Sequence, residues 1–191
     1  MIFERSVAID TETMGLCPHR DRLCLVQLSS GDGIAHLVQF DKDGYDKAHN
    51  LKKLLLDESV LKIFHFARFD LAILKKHLNV ACASVYCTKI AAKLIRTYSD
   101  KHGLKDLCKE YLGIDLSKQE QTSDWGAENL TPEQLRYAAS DVFHLHLLKF
   151  KLDALLKREN RMNLAQACFD FLPHRADLDL MTNEDYDIFK H

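Results

Sequence analysis

The hydrophobic period changes near Lys47, and that change limits the folds open to this chain. Before it, three apolar residues from Val7 to Ile9 running into Asp10, "LCLVQLSS" (Leu23 to Ser30) and "IAHLV" (Ile34 to Val38) read as strands. The last two are joined by "GDG", a glycine-rich hairpin turn, so the chain begins antiparallel. After it, "AHNLKKLLLD" is helical, "LKIFHF" is a short buried strand, and "ARFDLAILKKHL" has the spacing of an amphipathic helix. "CTKIAAKLIRTY" and "LKDLCKEYLGI" continue as helices, the second ended by Gly113. Thr131, Pro132 and Gln134 then form a capping-box signature that opens a helix expected to run to about Arg158. Antiparallel strands followed by strand and helix in alternation specify an α/β fold with a mixed central sheet flanked by helices. With 191 residues, 47% of them hydrophobic, there is material for one core, so a single domain over residues 1–191 is expected. The tail from about residue 160 has aromatics and no clear period, and is expected to pack on the domain or on a partner subunit.

Charge and cysteine usage exclude several function classes. A formal net charge of -2 argues against a broad basic face that tracks long polynucleotides. A nucleic-acid substrate, if there is one, should be short or held locally. Six cysteines fall without any C-x-x-C pair, which argues against disulfides and a zinc site. No run of about eighteen apolar residues occurs and the start lacks a signal peptide's apolar stretch, so a cytoplasmic protein with no membrane association is expected.

The chemistry is concentrated in acids. In "VAIDTETMGL", Asp10 and Glu12 are separated by one residue, so in an extended strand both carboxylates point the same way. Two such charges at the end of an apolar strand raise each other's pKa unless a cation lies between them. Asp70 enters a helix directly after the buried "KIFHF" strand, a place where α/β sheets bind ligands. Tyr137 and Asp141, four apart in "YAASD", put phenol and carboxylate on one helix face. An all-oxygen carboxylate set suits Mg²⁺ or Mn²⁺. Two such ions about 4 Å apart can clamp a phosphodiester, one activating water and the other stabilising the leaving oxygen, with Tyr137 orienting the water.

Asp10-x-Glu12, Phe69-Asp70 and Tyr137-x-x-x-Asp141 resemble, in order and spacing, the three motifs of the DEDDy 3'-5' exonucleases. "SKQEQTSDW" ahead of "YAASDVFHLHLL" resembles the ribonuclease D branch. "DTETMGLCPHRDRLCLVQLSSGDG", "KIFHFARFDLAIL", "CTKIAAKLIRTYSDKHGLK" and "FLPHRADLDL" are similar to the nano-RNase C family, over roughly Val7 to Phe189. His65 and Cys87 depart from the usual ribonuclease D residues and match nano-RNase C. The resemblance implies an RNase H-like DEDD exonuclease fold and two divalent metal ions. It implies that Asp10, Glu12 and Asp141 bind metal directly, that Asp70 does so directly or through water, and that Tyr137 positions the nucleophile. It further implies 5'-mononucleotide products, a preference for 5'-phosphorylated dinucleotides such as pGpG, and a homo-oligomer, octameric in the best-known cases.

On the same resemblance, Thr11, Thr13 and Met14 would lie beside the 3' nucleotide and Leu16 would wedge between two bases. His65, Phe66 and Phe69 could offer stacking surface, or could form a buried aromatic cluster. Basic and hydroxyl groups in "RTYSDKHG" or "SKQ" could cap a 5' phosphate, or could be solvated loops. Two other functions stay open at this point: ribonuclease D-like trimming of structured RNA, and a catalytically silent RNA-binding module, against which the intact acid set argues.

Overall fold

The computed structural model describes residues 5–117, 119–120, 122–181 and 188. Among the described residues, a five-stranded sheet is ordered β3-β2-β1-β4-β5, formed by β1 (Ser6–Thr13), β2 (Leu23–Ser29), β3 (His36–Gln39), β4 (Leu61–Phe64) and β5 (Val85–Cys87). Strand β1 pairs antiparallel with β2 and parallel with β4, so the sheet is mixed and β1 lies at its centre. The helices are α1 (His49–Leu56), α2 (Ala67–Leu78), α3 (Thr88–Ile95), α4 (Leu104–Leu112), α5 (Pro132–Phe143), α6 (Leu145–Arg158) and α7 (Met162–Met181). The β2–β3 turn places Gly31 and Gly33 at positive φ, the backbone that glycine adopts without strain. Gly113 closes α4 in the left-handed region, as the sequence predicts.

Three elements differ from the sequence reading. The long helix from Thr131 is two helices, because His144 leaves helical geometry at φ -103°. This bend lets α5 lie against β1 and β2 while α6 packs on α3, α4 and β4. Strand β5 is three residues long, too short to show a period, and hydrogen-bonds to β4. The described part of the tail is a helix, α7, packed chiefly on α2 and β5. Its buried stripe, Ala165, Phe169, Leu172 and Ala176, has helical spacing, but Leu164 and Phe171 on other faces hide it and Pro173 lies inside it. Residues 182–187 and 189–191 lie outside the described residues.

Candidate active site

Strand β1 serves two helices through its period of two. Its Asp10 and Glu12 carboxylates meet Asp141 of α5, with one ligand oxygen from each lying within 4.8 Å of the others. Thr11 between them is buried, and its hydroxyl donates to Asp70 Oδ1 of α2 at 2.7 Å. Asp70 is therefore fixed beside the three clustered carboxylates rather than among them. It occupies the first turn of α2, where the helix dipole favours an acid. The full capping box at Thr131 and Gln134 fixes the start of α5, which carries Tyr137 and Asp141 over the strand. Trp125, almost fully buried, packs on Tyr137 with ring centroids 6.0 Å apart.

The arrangement is electrostatically costly without a cation. Burial, then Asp70, Asp141 and Glu12, raise the Asp10 carboxyl well above its ordinary range. Burial, then Asp141 and Asp70, push Glu12 up to about 9. Asp141 is pushed up to about 7 by burial, against the hydrogen bond that Tyr137 donates to it. Burial and the neighbouring Asp141, Glu12 and Asp10 raise the Tyr137 phenol, which stays protonated near neutral pH. A hard divalent cation fits this site on two counts: the donors are oxygens, and they are held together at a cost that a positive charge relieves. Asp10, Glu12 and Asp141 could hold it.

Other residues singled out in the sequence divide into displayed and committed groups. Leu16 is 86% exposed and Met14 is 51% exposed at the end of β1. The loop that shows them is tied internally: Thr13 Oγ1 donates to the Gly15 carbonyl, and Met14 N–H donates to the Arg22 carbonyl. A Cβ on Gly15 would come within 2.3 Å of the Asp21 carboxylate, which accepts from Cys17 N–H and Arg20. Phe66 is left-handed at φ 67°, a strained backbone for a bulky residue, and its exposed ring lies under Lys89 Nζ at 4.0 Å from the centroid. His65, in contrast, is half-buried and shares a hydrogen bond with the Thr88 hydroxyl. Phe69 packs against the core. In "RTYSDKHG", Arg96 is buried and bound to the Lys101 carbonyl and Glu110, while Tyr98 is exposed. Lys118 of "SKQ" lies outside the described residues.

Gln27 escaped the sequence reading. It is fully buried on β2, directly across from Asp10, and its amide donates to Asp10 Oδ2 at 3.4 Å. The available signal was a lone polar residue inside the apolar run "LCLVQLS".

The raised carboxyls set the sign of a pH dependence. Between the ordinary carboxylate range and the raised native values, unfolded chains have released protons that the native cluster still holds, so metal-free stability falls as pH rises. Asp10→Asn removes one member of the repelling set. It is expected to raise the Tm of metal-free protein by about 2–4 °C near pH 8, with little change below about pH 3, where the carboxyls are protonated in both states. Mg²⁺ should then stabilise the parent protein at pH 8 and not the variant. Differential scanning calorimetry checks both; equal Tm values at pH 8 would show that the cluster carries no repulsion.

Comparison with known proteins agrees with this geometry. A family model described as 3'-5' exonuclease matches residues 3–157. The structure of Brucella melitensis NrnC bound to pGG superposes with a TM-score of 0.94 at 56% identity, covering 98% of this chain and 90% of that one. Brucella melitensis NrnC with bound Mg²⁺ superposes at 0.92 with 55% identity, also over 98% and 90%. Ribonuclease D of Gluconacetobacter diazotrophicus is 36% identical over 160 residues, 84% of this chain and 40% of that protein. The chain thus spans about two fifths of the length of that ribonuclease D relative. Among the described residues no helix is long and apolar enough to cross a membrane. The chain belongs to the 3'-5' exonuclease family, in its ribonuclease D-like branch.

Proposed function

We propose that residues 1–191 work as a single cytoplasmic exonuclease domain: a two-metal-ion 3'-5' exoribonuclease that hydrolyses short RNA, preferentially 5'-phosphorylated dinucleotides, to 5'-mononucleotides. The observation that carries this reading is the convergence of Asp10, Glu12 and Asp141, with Tyr137 hydrogen-bonded to Asp141, beside an internally tied loop that displays Leu16. The pGG-bound NrnC structure, matched over nearly its whole length, supports the dinucleotide.

Asp10, Glu12 and Asp141 would hold the cations, Mg²⁺ or Mn²⁺, with Asp70 contributing directly or through water. When bound, the cations supply charge stabilisation for an in-line displacement at phosphorus. Tyr137 keeps its proton, so it orients the attacking water as a hydrogen-bond donor rather than removing a proton from it. Water adds to the phosphorus of the linking phosphodiester and gives up a proton to solvent, the P–O3' bond breaks, and the departing 3' oxygen takes up a proton from solvent. Leu16 and Met14 present apolar surface to the bases, with Thr13 and Phe66 nearby in the sequence motifs that carry the acids. The Thr11 hydroxyl and His65 act through what they hold, Asp70 and Thr88.

The test is a time course on 5'-labelled RNAs of increasing length, from the dinucleotide to a chain of roughly twenty, with Mn²⁺ or Mg²⁺. The dinucleotide should be cleaved fastest, Asp10→Ala should be inactive, and Tyr137→Phe should lower kcat by about 10²-fold with KM little changed. Equal trimming of long RNA would favour a ribonuclease D-like role, which the sequence likeness to ribonuclease D also supports. RNA binding without cleavage would favour a silent binding module.

We further propose a homo-oligomer, octameric as the resemblance implies. Exposed Leu147 and Phe150 on α6 and Leu164 on α7 offer apolar surface for it. Light scattering should give an octamer mass; a monomer would contradict this.

A further inference from the structure

Helix α7 lies past residue 157, where the family match ends, yet it reaches the loop that follows β1. Its fully buried stripe ends at Ala176, and in the last turn partly buried Leu180 still packs on the core while charged contacts tie the helix to α2. Arg68 Nε and Nη2 donate to the two oxygens of the Asp179 carboxylate at 2.6 and 2.7 Å, the forked geometry that fixes both partners. Arg175 joins the same carboxylate from one turn earlier, 3.1 Å away, and Asp177 pairs with Lys75. The Asp179 side chain is 12% exposed, so its own contacts are more sheltered from the water and salt that weaken surface pairs than the exposed Lys75–Asp177 pair is.

The main chain of the same residue holds the loop. His19 Nε2 is 2.9 Å from the Asp179 carbonyl, as a donor to it. Lys76 of α2 donates to the Pro18 and His19 carbonyls at 2.7 and 2.5 Å. The loop between Met14 and Arg22 is thus seated on α2 and on the last turn of α7, and its other side presents Leu16 to solvent. Nothing in folding asks for an apolar side chain displayed on a loop tied at so many points; a substrate that must be met at a fixed position does.

Resting on the function proposed above, we infer that Asp179 is a positioning residue for substrate binding: by gripping Arg68 with its side chain and His19 with its main chain, it sets where the loop holds Leu16 against a dinucleotide. Asp10, Glu12 and Asp141 stand on β1 and α5, and Asp70 of α2 is held by the Thr11 hydroxyl rather than by Asp179, so loosening this tie should affect recognition of the substrate and leave the hydrolytic centre intact.

The test compares the parent with Asp179→Asn, which removes the charge and keeps the carbonyl, and with His19→Ala, which cuts the link from the loop side. Two substrates are used: a 5'-phosphorylated diribonucleotide, and the p-nitrophenyl ester of thymidine 5'-monophosphate, which has no second base. Both variants should raise the dinucleotide KM by about tenfold with kcat within about twofold, and leave ester hydrolysis and the Mg²⁺-induced Tm shift unchanged. An unchanged dinucleotide KM, whatever the loss in Tm, would overturn the inference, as would equal losses on both substrates. A parent protein that cleaves neither substrate would instead overturn the proposed function.

Discussion

The structure turns on the repulsion between carboxylates brought together at the end of β1. Asp10, Glu12 and Asp141 are partly removed from water; burial disfavours their ionised forms, and at Asp10 and Glu12 the neighbouring carboxylates add to this. Folding must supply what this cluster costs, and the surrounding features are arranged to do so. The mixed sheet puts β1 at its centre, between β2 and β4. Gln27 donates to Asp10 across the strand pair, Thr11 donates to Asp70, and the capping box seats α5 so that Asp141 meets β1. Sites that store unfavourable interactions of this kind are stabilised by the ligand they are built for.

What was legible in the sequence is what local periodicity carries. A period of two through Asp10 and Glu12 gives the direction of both carboxylates, whereas Thr11, expected beside the substrate, is buried and bonded to Asp70. Four-residue spacing gives the Tyr137 and Asp141 face, and the capping signature gives where α5 begins. All three appear as expected in the structure. The illegible parts depend on contacts between distant segments. No proline or glycine marks the bend at His144, which exists because two neighbouring helices must pack on different partners. Helix α7 hides its stripe because its other faces also carry apolar groups, and Asp179 acquires meaning only beside Arg68, 111 residues away in sequence. Gln27 reads as one polar residue in a strand until the register sets it opposite Asp10.

The acids and the loop that displays Leu16 share α2 and differ in the rest of their support. The acids stand on β1, α2 and α5, elements inside the family match, whereas the loop that displays Leu16 leans on α2 and on α7, which lies beyond it.

The central claim is that Asp10, Glu12 and Asp141 form an anionic site completed by divalent cations. The most direct measurement is anomalous diffraction from crystals soaked in Mn²⁺. A peak is expected within coordination distance of oxygens from all three carboxylates, roughly 2.0–2.3 Å, and no such peak in Asp10→Asn. Mn²⁺ density elsewhere on the protein with these carboxylates unoccupied would contradict it.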